Sequence, residues 1–293
     1  MDKLLRDKRA ILILIGPAFI LYFFTVIFPI SMSGIYSTYE WDGIGEQIFI
    51  GFNNYLHLFH DQGFLHSVVN TIILSLLTVF IQIPIALTLA LVLSSGIRAE
   101  VSFRTLYFIP VILPSTVIGL LWKRIYDPNY GLLNAVLRFF GGSDLIHYWL
   151  GDLSTVLVAV SIPIIWQWVG YHMLLLYAAA KGVSTDIREA AEIDGASRFQ
   201  TAVRVVLPQM YPILRVCITL AIVGSMKHFD LVYVMTKGGP AHASEMPSTL
   251  MFSTIFSRNN YGYGSAMALF IVVECLLLTI LLQKILKTDK GLA

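Results

Sequence analysis

The side chains with chemical capacity in this sequence are few, and most sit in apolar surroundings. Ser225, Lys227, His228 and Asp230 fall within six consecutive positions of one apolar run, and Glu274 lies inside another. Gln82, Ser115, Gln167, Trp168 and His172 are embedded in the same way. A polar group in a membrane segment costs free energy, so such groups pair with one another or line a path for cargo. Lys227 and Asp230 are spaced i, i+3 and can share a helix face, with Glu274 a second partner for Lys227. Two readings of these three charges stay open: an interior salt-bridge set that fixes helix packing, or a network that touches cargo. The common catalytic signatures are missing: no GxxxxGK[ST], HExxH or GxSxG occurs, and no paired Cys and His spacing. The chain is therefore expected to hold no nucleotide, metal or other cofactor of its own and to be no enzyme.

The elements that must position these groups are membrane helices. The 293 residues are 57% hydrophobic and 13% charged, against roughly 25% charged in ordinary globular domains. Six apolar segments, at 11–33, 67–95, 105–125, 154–180, 212–236 and 265–286, are long enough to cross a bilayer. An all-α, polytopic membrane protein with six transmembrane helices is expected. It forms a single transmembrane domain over 1–293 with its core at 67–287, and no soluble domain fits between the spans. The first run resembles a secretory leader, but it is too long, holds Pro17 and large aromatics, and lacks a small-x-small site, so it reads as a retained helix. Pro29, Pro84, Pro110, Pro114 and Pro163 fall in or beside spans, where proline is tolerated and usually kinks the helix. Cys217 and Cys275 lie in apolar runs as small hydrophobes. The net charge of +2 suggests no nucleic-acid partner.

Orientation follows from basic residues. With the N-terminus cytoplasmic, thirteen Lys and Arg fall on the inside and five on the outside, and the loop from Gly34 to His66 holds none. Both termini are therefore expected in the cytoplasm. In the outer loop after the third segment, Leu133, Val136, Leu137 and Phe140 recur at i, i+3, i+4 and i+7, which predicts a short interfacial helix.

One stretch breaks the apolar character: "IREAAEIDGASRFQTAVRVVLP", from Ile187 to Pro208, within a loop at 182–211 that the charge pattern places in the cytoplasm. It reads as two short helices with a hinge. Asp186 with Glu189 is expected to cap the first, Gly195 to end it in a left-handed conformation, and Ser197 with Gln200 to cap the second. Ile187, Ala190 and Ala191, then Phe199, Ala202, Val203 and Val206, give each helix an apolar face. Such a hairpin either lies passively under the bundle or docks a cytoplasmic partner.

The spacing Glu189, Ala190, Ala191, three residues, Gly195, nine residues, then Val205, Leu207 and Pro208 resembles the EAA signature of ATP-binding-cassette importer permeases. Val205 stands where isoleucine is more usual. "GFNNY" at Gly51, "FIPVILPSTVIGLLWKRIYDPNYGLLNA" from Phe108, "WQWVGY" from Trp166, "FDLVYVMTKGGP" from Phe229 and "YGYGSAMA" from Tyr261 narrow the resemblance to carbohydrate-uptake permeases of the maltose and glycerol-phosphate types. The "TKGGP" and "YGYGSA" runs look like the maltose-F-like partner, without the large outer domain some relatives insert.

The resemblance implies a multi-pass subunit of the bacterial cytoplasmic membrane that carries a sugar or oligosaccharide. Its implied partners are a second homologous permease in a heterodimer, two cytoplasmic ATPase subunits that hold ATP and Mg, and an extracytoplasmic sugar-binding protein. ATPase coupling would fall to Glu189, Ala190, Ala191, Asp194, Gly195, Leu207 and Pro208, and cargo contact to Ser115, Trp168, Gly170, Ser225 and His228. An aromatic ring such as Trp168 suits the C–H face of a sugar, and a neighbouring glycine lets a ligand approach the backbone. Two alternatives remain: a non-sugar cargo such as a phosphorylated polyol, which Lys227 would favour, and an ion-coupled secondary transporter using Asp230 and Glu274 with His228.

Overall fold

The computed structural model describes residues 8–285. Lys3, Arg6, Lys287 and Lys290 of the charge count, and the last residues of the expected 67–287 core, lie outside the described residues. In chain order the elements are α1 (Lys8–Tyr22), α2 (Phe28–Tyr36), a two-stranded ribbon of β1 (Tyr39–Glu40) and β2 (Ile48–Phe49), α3 (Asn53–His60), α4 (Gln62–Leu77), α5 (Ile83–Ser94), α6 (Glu100–Ile112) and α7 (Ser115–Ile125). They continue with α8 (Leu132–Phe139), α9 (Val156–Lys181), α10 (Thr185–Ile193), α11 (Arg198–Thr201), α12 (Leu207–Met226), α13 (Asp230–Met235), α14 (Pro247–Phe256) and α15 (Tyr261–Ile285). Among the described residues, Ile13–Tyr36, Gln62–Ser94, Val156–Lys181, Arg198–Met226 and Tyr261–Ile285 are helices long and apolar enough to cross a membrane.

Several of the departures from regular helix lie at prolines. A proline lacks an N–H, and its ring presses on the carbonyl four residues back. Ahead of Pro29, Pro84 and Pro208 the chain widens into single π turns at Phe23–Ile27, Thr78–Gln82 and Ala202–Val206. In each, the residue just before the proline (Phe28, Ile83, Leu207) donates its N–H to the carbonyl five residues back. The wider turn makes room for the ring and keeps the ladder paired, which a lipid surrounding demands. Three pairs of helices therefore run on as single spans: α1 with α2, α4 with α5, and α11 with α12.

At Pro114 the outcome differs. The expected third segment, 105–125, is two helices, α6 and α7, bent by 97°. The residue before a proline is driven out of the helical region, and Leu113 is extended with ψ 136°. The fifth segment also departs from expectation. It starts at Arg198, continuous with the second helix of the hairpin, and it ends at Met226, so Lys227 and His228 occupy a break before α13. No glycine or proline marks that break. The Ser248 hydroxyl donates to the His228 carbonyl at 2.5 Å, taking over a backbone group the helix would otherwise have paired.

The chain forms two contact units, one of residues up to Asp61 with Met251–Val273 and one of Gln62–Leu250 with the chain from Glu274. In the second, Ala86 and Ala90 of α5 pack with Ile165, Val169, Met173, Leu176 and Ala180 of α9 and with Met210, Cys217 and Ala221 of α12. Small residues at i, i+4 let membrane helices approach closely, where packing rather than hydrophobicity drives association. Asn70 ties the "GGPAHASE" loop down, donating to the carbonyls of His242, Ala243 and Glu245 at 3.3, 3.2 and 3.0 Å. The short helix expected in the loop after the third segment is present as α8. Before it, Asp127 accepts N–H bonds from Asn129 and Tyr130, which hold its carboxyl below the usual range.

In the first unit the ribbon pairs Tyr39 with Phe49, and the Asn54 amide donates to the Ser37 and Tyr39 carbonyls at 2.8 and 2.9 Å. The Tyr263 hydroxyl donates to Asp61 at 2.7 Å. The glycines of "YGYG" have a packing reason: a Cβ at Gly262 would overlap the Tyr39 carbonyl, and one at Gly264 the Ile255 side chain.

Gly170 is explained in the same way. A Cβ there would overlap the Tyr107 carbonyl of α6. Its missing side chain is filled by a neighbouring helix rather than left open to a ligand. Gly170→Val is therefore expected to lower the unfolding midpoint of the purified protein in detergent, by overpacking worth about 1–3 kcal/mol. An unchanged midpoint would show that α6 and α9 are not in close register here.

Candidate functional site

The irregular points converge. An open cavity of about 440 Å³ is lined by Thr78 and Gln82 of the π turn before Pro84, by Ser115 at the start of α7, and by Gly224 and Ser225 near the end of α12. Lys227, His228, Phe229 and Asp230 of the break complete that side. From α9 come Ile164, Trp168, Tyr171 and His172, at i, i+4, i+7 and i+8, one face of a regular helix. Ser115, Trp168, Ser225 and His228 are thus brought together, while Gly170 sits against α6.

The lining combines three aromatic rings, Trp168, Tyr171 and Phe229, with polar side chains and a few aliphatic ones. Trp168 and Tyr171 meet edge to face at 5.9 Å, and Phe229 stacks on Tyr233 at 5.0 Å. The Ser225 hydroxyl is used within the protein, bonded to the Ala221 carbonyl at 2.9 Å and the Thr78 hydroxyl at 3.2 Å. Gln82 Oε1, His172 Nδ1 and His228 Nε2 are buried and have no hydrogen-bond partner among the described residues. Leaving a buried polar group unpaired costs about 1–3 kcal/mol. All three belong to residues that line one cavity, and because the atoms themselves are closed off from solvent, a side-chain turn would bring each to a ligand rich in hydroxyl or amide groups.

The charges behave differently from the salt-bridge reading. Among the described residues, the ion pairs join other groups, and none includes Lys227, Asp230 or Glu274. Lys227 is the C-cap of α12 and Asp230 opens α13, so each charge complements the dipole of its own helix end. Glu274 lies on α15, and its Oε2 is buried without a partner.

The 182–211 loop is a built hairpin. Ser184, not Asp186, caps α10, accepting the Asp186 N–H at 3.2 Å. At the other end Gly195 has φ +82°, its N–H bonds the Glu192 carbonyl at 3.0 Å, and the Ala196 N–H bonds the Ala191 carbonyl at 2.9 Å, a Schellman stop. Asp194 is the C-cap residue. Ser197 and Gln200 close a reciprocal capping box at 2.8 and 3.3 Å. Arg188 donates to the Ala180 carbonyl, tying α10 to the end of α9. Glu189 and Ala190 are exposed, and Ala191 is half-buried. Phe199 is 77% exposed and Ile187 45%, so much of the apolar surface expected on the hairpin faces outward, as does Ile193, while Val206 is buried. Leu207 and Pro208 belong to α12, just past the π turn.

Residues 82–289 match the family model described as "Binding-protein-dependent transport system inner membrane component". The chain belongs to this family of permeases. It is a multi-pass inner-membrane protein, as its helices also require. The permease is 34% identical over 277 residues to a probable ABC transporter permease of Bacillus subtilis (strain 168), covering 94% of each chain. It is 32% identical over 242 residues, 83% of this chain and 81% of the other, to the "Trehalose/maltose transport system permease protein MalF" of Thermococcus litoralis. Its backbone superposes with a TM-score of 0.84, at 20% identity and over 98% of both chains, on a chain of a bacterial alginate ABC transporter in complex with an alginate pentasaccharide-bound periplasmic protein, a likeness of fold.

Gln82, His172, Tyr171, Phe229 and Thr78 were not among the cargo-contact residues expected from sequence. Gln82 and His172 carried a signal, as polar groups inside apolar spans. Tyr171 and Phe229 follow only from helix phase and from the break at 227–229.

At Gly195 a β-branched side chain would be forced into the left-handed region, at about 1–2 kcal/mol. Gly195→Val in the permease is expected to speed proteolytic cleavage between Ile193 and Ser197 while helix content stays constant, and Gly195→Asn to have a smaller effect. Equal cleavage in all three proteins would show that the stop does not hold the hairpin.

Proposed function

We propose that this permease translocates a sugar or oligosaccharide handed over by an extracytoplasmic binding protein. The observation that carries the reading is the cavity, where Trp168, Tyr171 and Phe229 supply ring faces and Gln82, His172 and His228 supply unpaired polar atoms. Sugars present C–H faces to aromatic rings and hydroxyls to both donors and acceptors. The printed name of the trehalose/maltose relative supports the same cargo class. In this reading Ser115, Trp168, Ser225 and His228 contact cargo, both termini and the 182–211 hairpin face the cytoplasm, and Gly170 acts through packing.

The assembly we infer holds a second, homologous permease and two ATPase subunits, which bind ATP and Mg. Glu189, Ala190, Ala191, Asp194 and Gly195 present the docking surface, and Leu207 and Pro208 join it to the membrane span. Exposed Ile193 and Phe199, flanked by the exposed Glu189 carboxylate, suit insertion into a partner cleft. Lys227, which faces the cavity without an ion pair, favours as a second reading an anionic cargo such as a phosphorylated polyol.

Extraction of the tagged chain in mild detergent is expected to bring down a second permease and an ATPase subunit, with Glu189→Lys losing the ATPase alone. Recovery of this chain by itself, active in a proton-driven flux assay, would move coupling to Asp230 and Glu274 and overturn the proposal.

In the assembled transporter, Gln82→Ala and Trp168→Ala are each expected to raise KM for sugar uptake about tenfold, the loss of one good contact. Unchanged KM in both variants would remove the cavity from the cargo path.

A further inference from the structure

A second cavity, of about 190 Å³, lies where α5 meets the hairpin, and none of the roles above uses it. Leu91, Ser94 and Ser95 of α5 form one side, and Arg188, Glu192, Arg198, Thr201, Ala202 and Val206 the other. Thr201 is only 6% exposed, and its hydroxyl has no hydrogen-bond partner among the described residues. Among the described residues, Arg198 makes no ion pair and its guanidinium no hydrogen bond. Arg188 spends one donor on the Ala180 carbonyl, and four of its five N–H donors remain. Glu192 is the one carboxylate at the site, so the two guanidiniums leave a net positive charge.

We propose that this cavity binds a phosphate group. Two planar guanidiniums and a buried hydroxyl match the oxygens of a phosphate, which arginine forks bind in bidentate fashion. Leu91 and the other apolar residues of α5 place the site at the end of a membrane span, the depth of a phospholipid headgroup. Basic pockets between spans on the cytoplasmic side bind anionic headgroups. The occupant is an anionic phospholipid or free phosphate. Either would bridge α5 to the hairpin and stiffen it at the π turn Ala202–Val206, where the docking surface joins its span.

The test uses the purified assembly in nanodiscs of phosphatidylcholine alone, of phosphatidylcholine with phosphatidylglycerol, and of phosphatidylcholine with added inorganic phosphate. Amide hydrogen exchange over Ser184–Val206 is the readout. Phosphatidylglycerol is expected to slow exchange there about tenfold, the effect of one charge-assisted contact. Arg198→Gln is expected to abolish the slowing, because it leaves the Arg188 tether to Ala180 intact, and Thr201→Val to weaken it. Equal slowing by inorganic phosphate would support the site and assign it to free anion rather than lipid. Exchange that ignores both additives, or slowing that persists in Arg198→Gln, would overturn the proposal. So would protection of these amides that depends only on the presence of the ATPase subunits.

Discussion

A backbone in lipid must pair its own N–H and C=O groups, and a proline removes one donor and crowds one carbonyl. Four prolines of this permease, Pro29, Pro84, Pro114 and Pro208, meet that demand in two ways. Where the turn before the proline can widen, as ahead of Pro29, Pro84 and Pro208, the span continues. Where Leu113 is pushed into an extended conformation before Pro114, the span breaks through 97°. Thr78, Gln82 and Ser115 reach the cavity from these points. The same constraint that disturbs the helices thus supplies the polar lining a dry bundle would lack.

That lining is held by regular structure. α9 presents Ile164, Trp168, Tyr171 and His172 from an unbroken helix packed on α5 and α12. Gly170, on a different side of the same helix from the cavity face, lets α6 come close enough for its backbone to occupy the space of a side chain. The cavity therefore has one stiff wall and several irregular ones. A hydroxyl-bearing cargo would gain from both, since rings need fixed placement and unpaired polar atoms need only reach.

Much of this was legible in the sequence, for a physical reason. A run of about 20 apolar residues leaves a membrane chain few alternatives to a helix, so 154–180 and 265–286 correspond closely to Val156–Lys181 and Tyr261–Ile285. Gly195 and the Ser197–Gln200 box were readable because caps are local chemistry. The cap at Ser184 was not, because Ser184, Thr185 and Asp186 are three competent caps in a row and only the extended backbone at Ser184 selects one. The break at 227–229 left no mark either. The carbonyl it frees at His228 is paired by the Ser248 hydroxyl, twenty residues away in sequence. The shared helix face that the i, i+3 spacing offers Lys227 and Asp230, on which one of the two open readings rested, assumed one continuous helix through both, and the break separates them. Whether a buried Gln82 or His172 finds a partner is a property of neighbours that no single helix pattern records.

The continuity of Arg198–Met226 has one more consequence. This single helix of 29 residues begins at the capping box of the hairpin and ends beside Ser225 in the cavity, a length of about 40 Å at 1.5 Å per residue. It is a lever, and a rotation imposed on Phe199 at one end must appear as movement of Gly224 and Ser225 at the other unless the rod yields. The one interruption of its α-helical ladder is the π turn at Ala202–Val206, close to the hairpin end. The stiffness of five residues there sets how much of any push on the hairpin is delivered as work at the far end and how much is lost as local flexing.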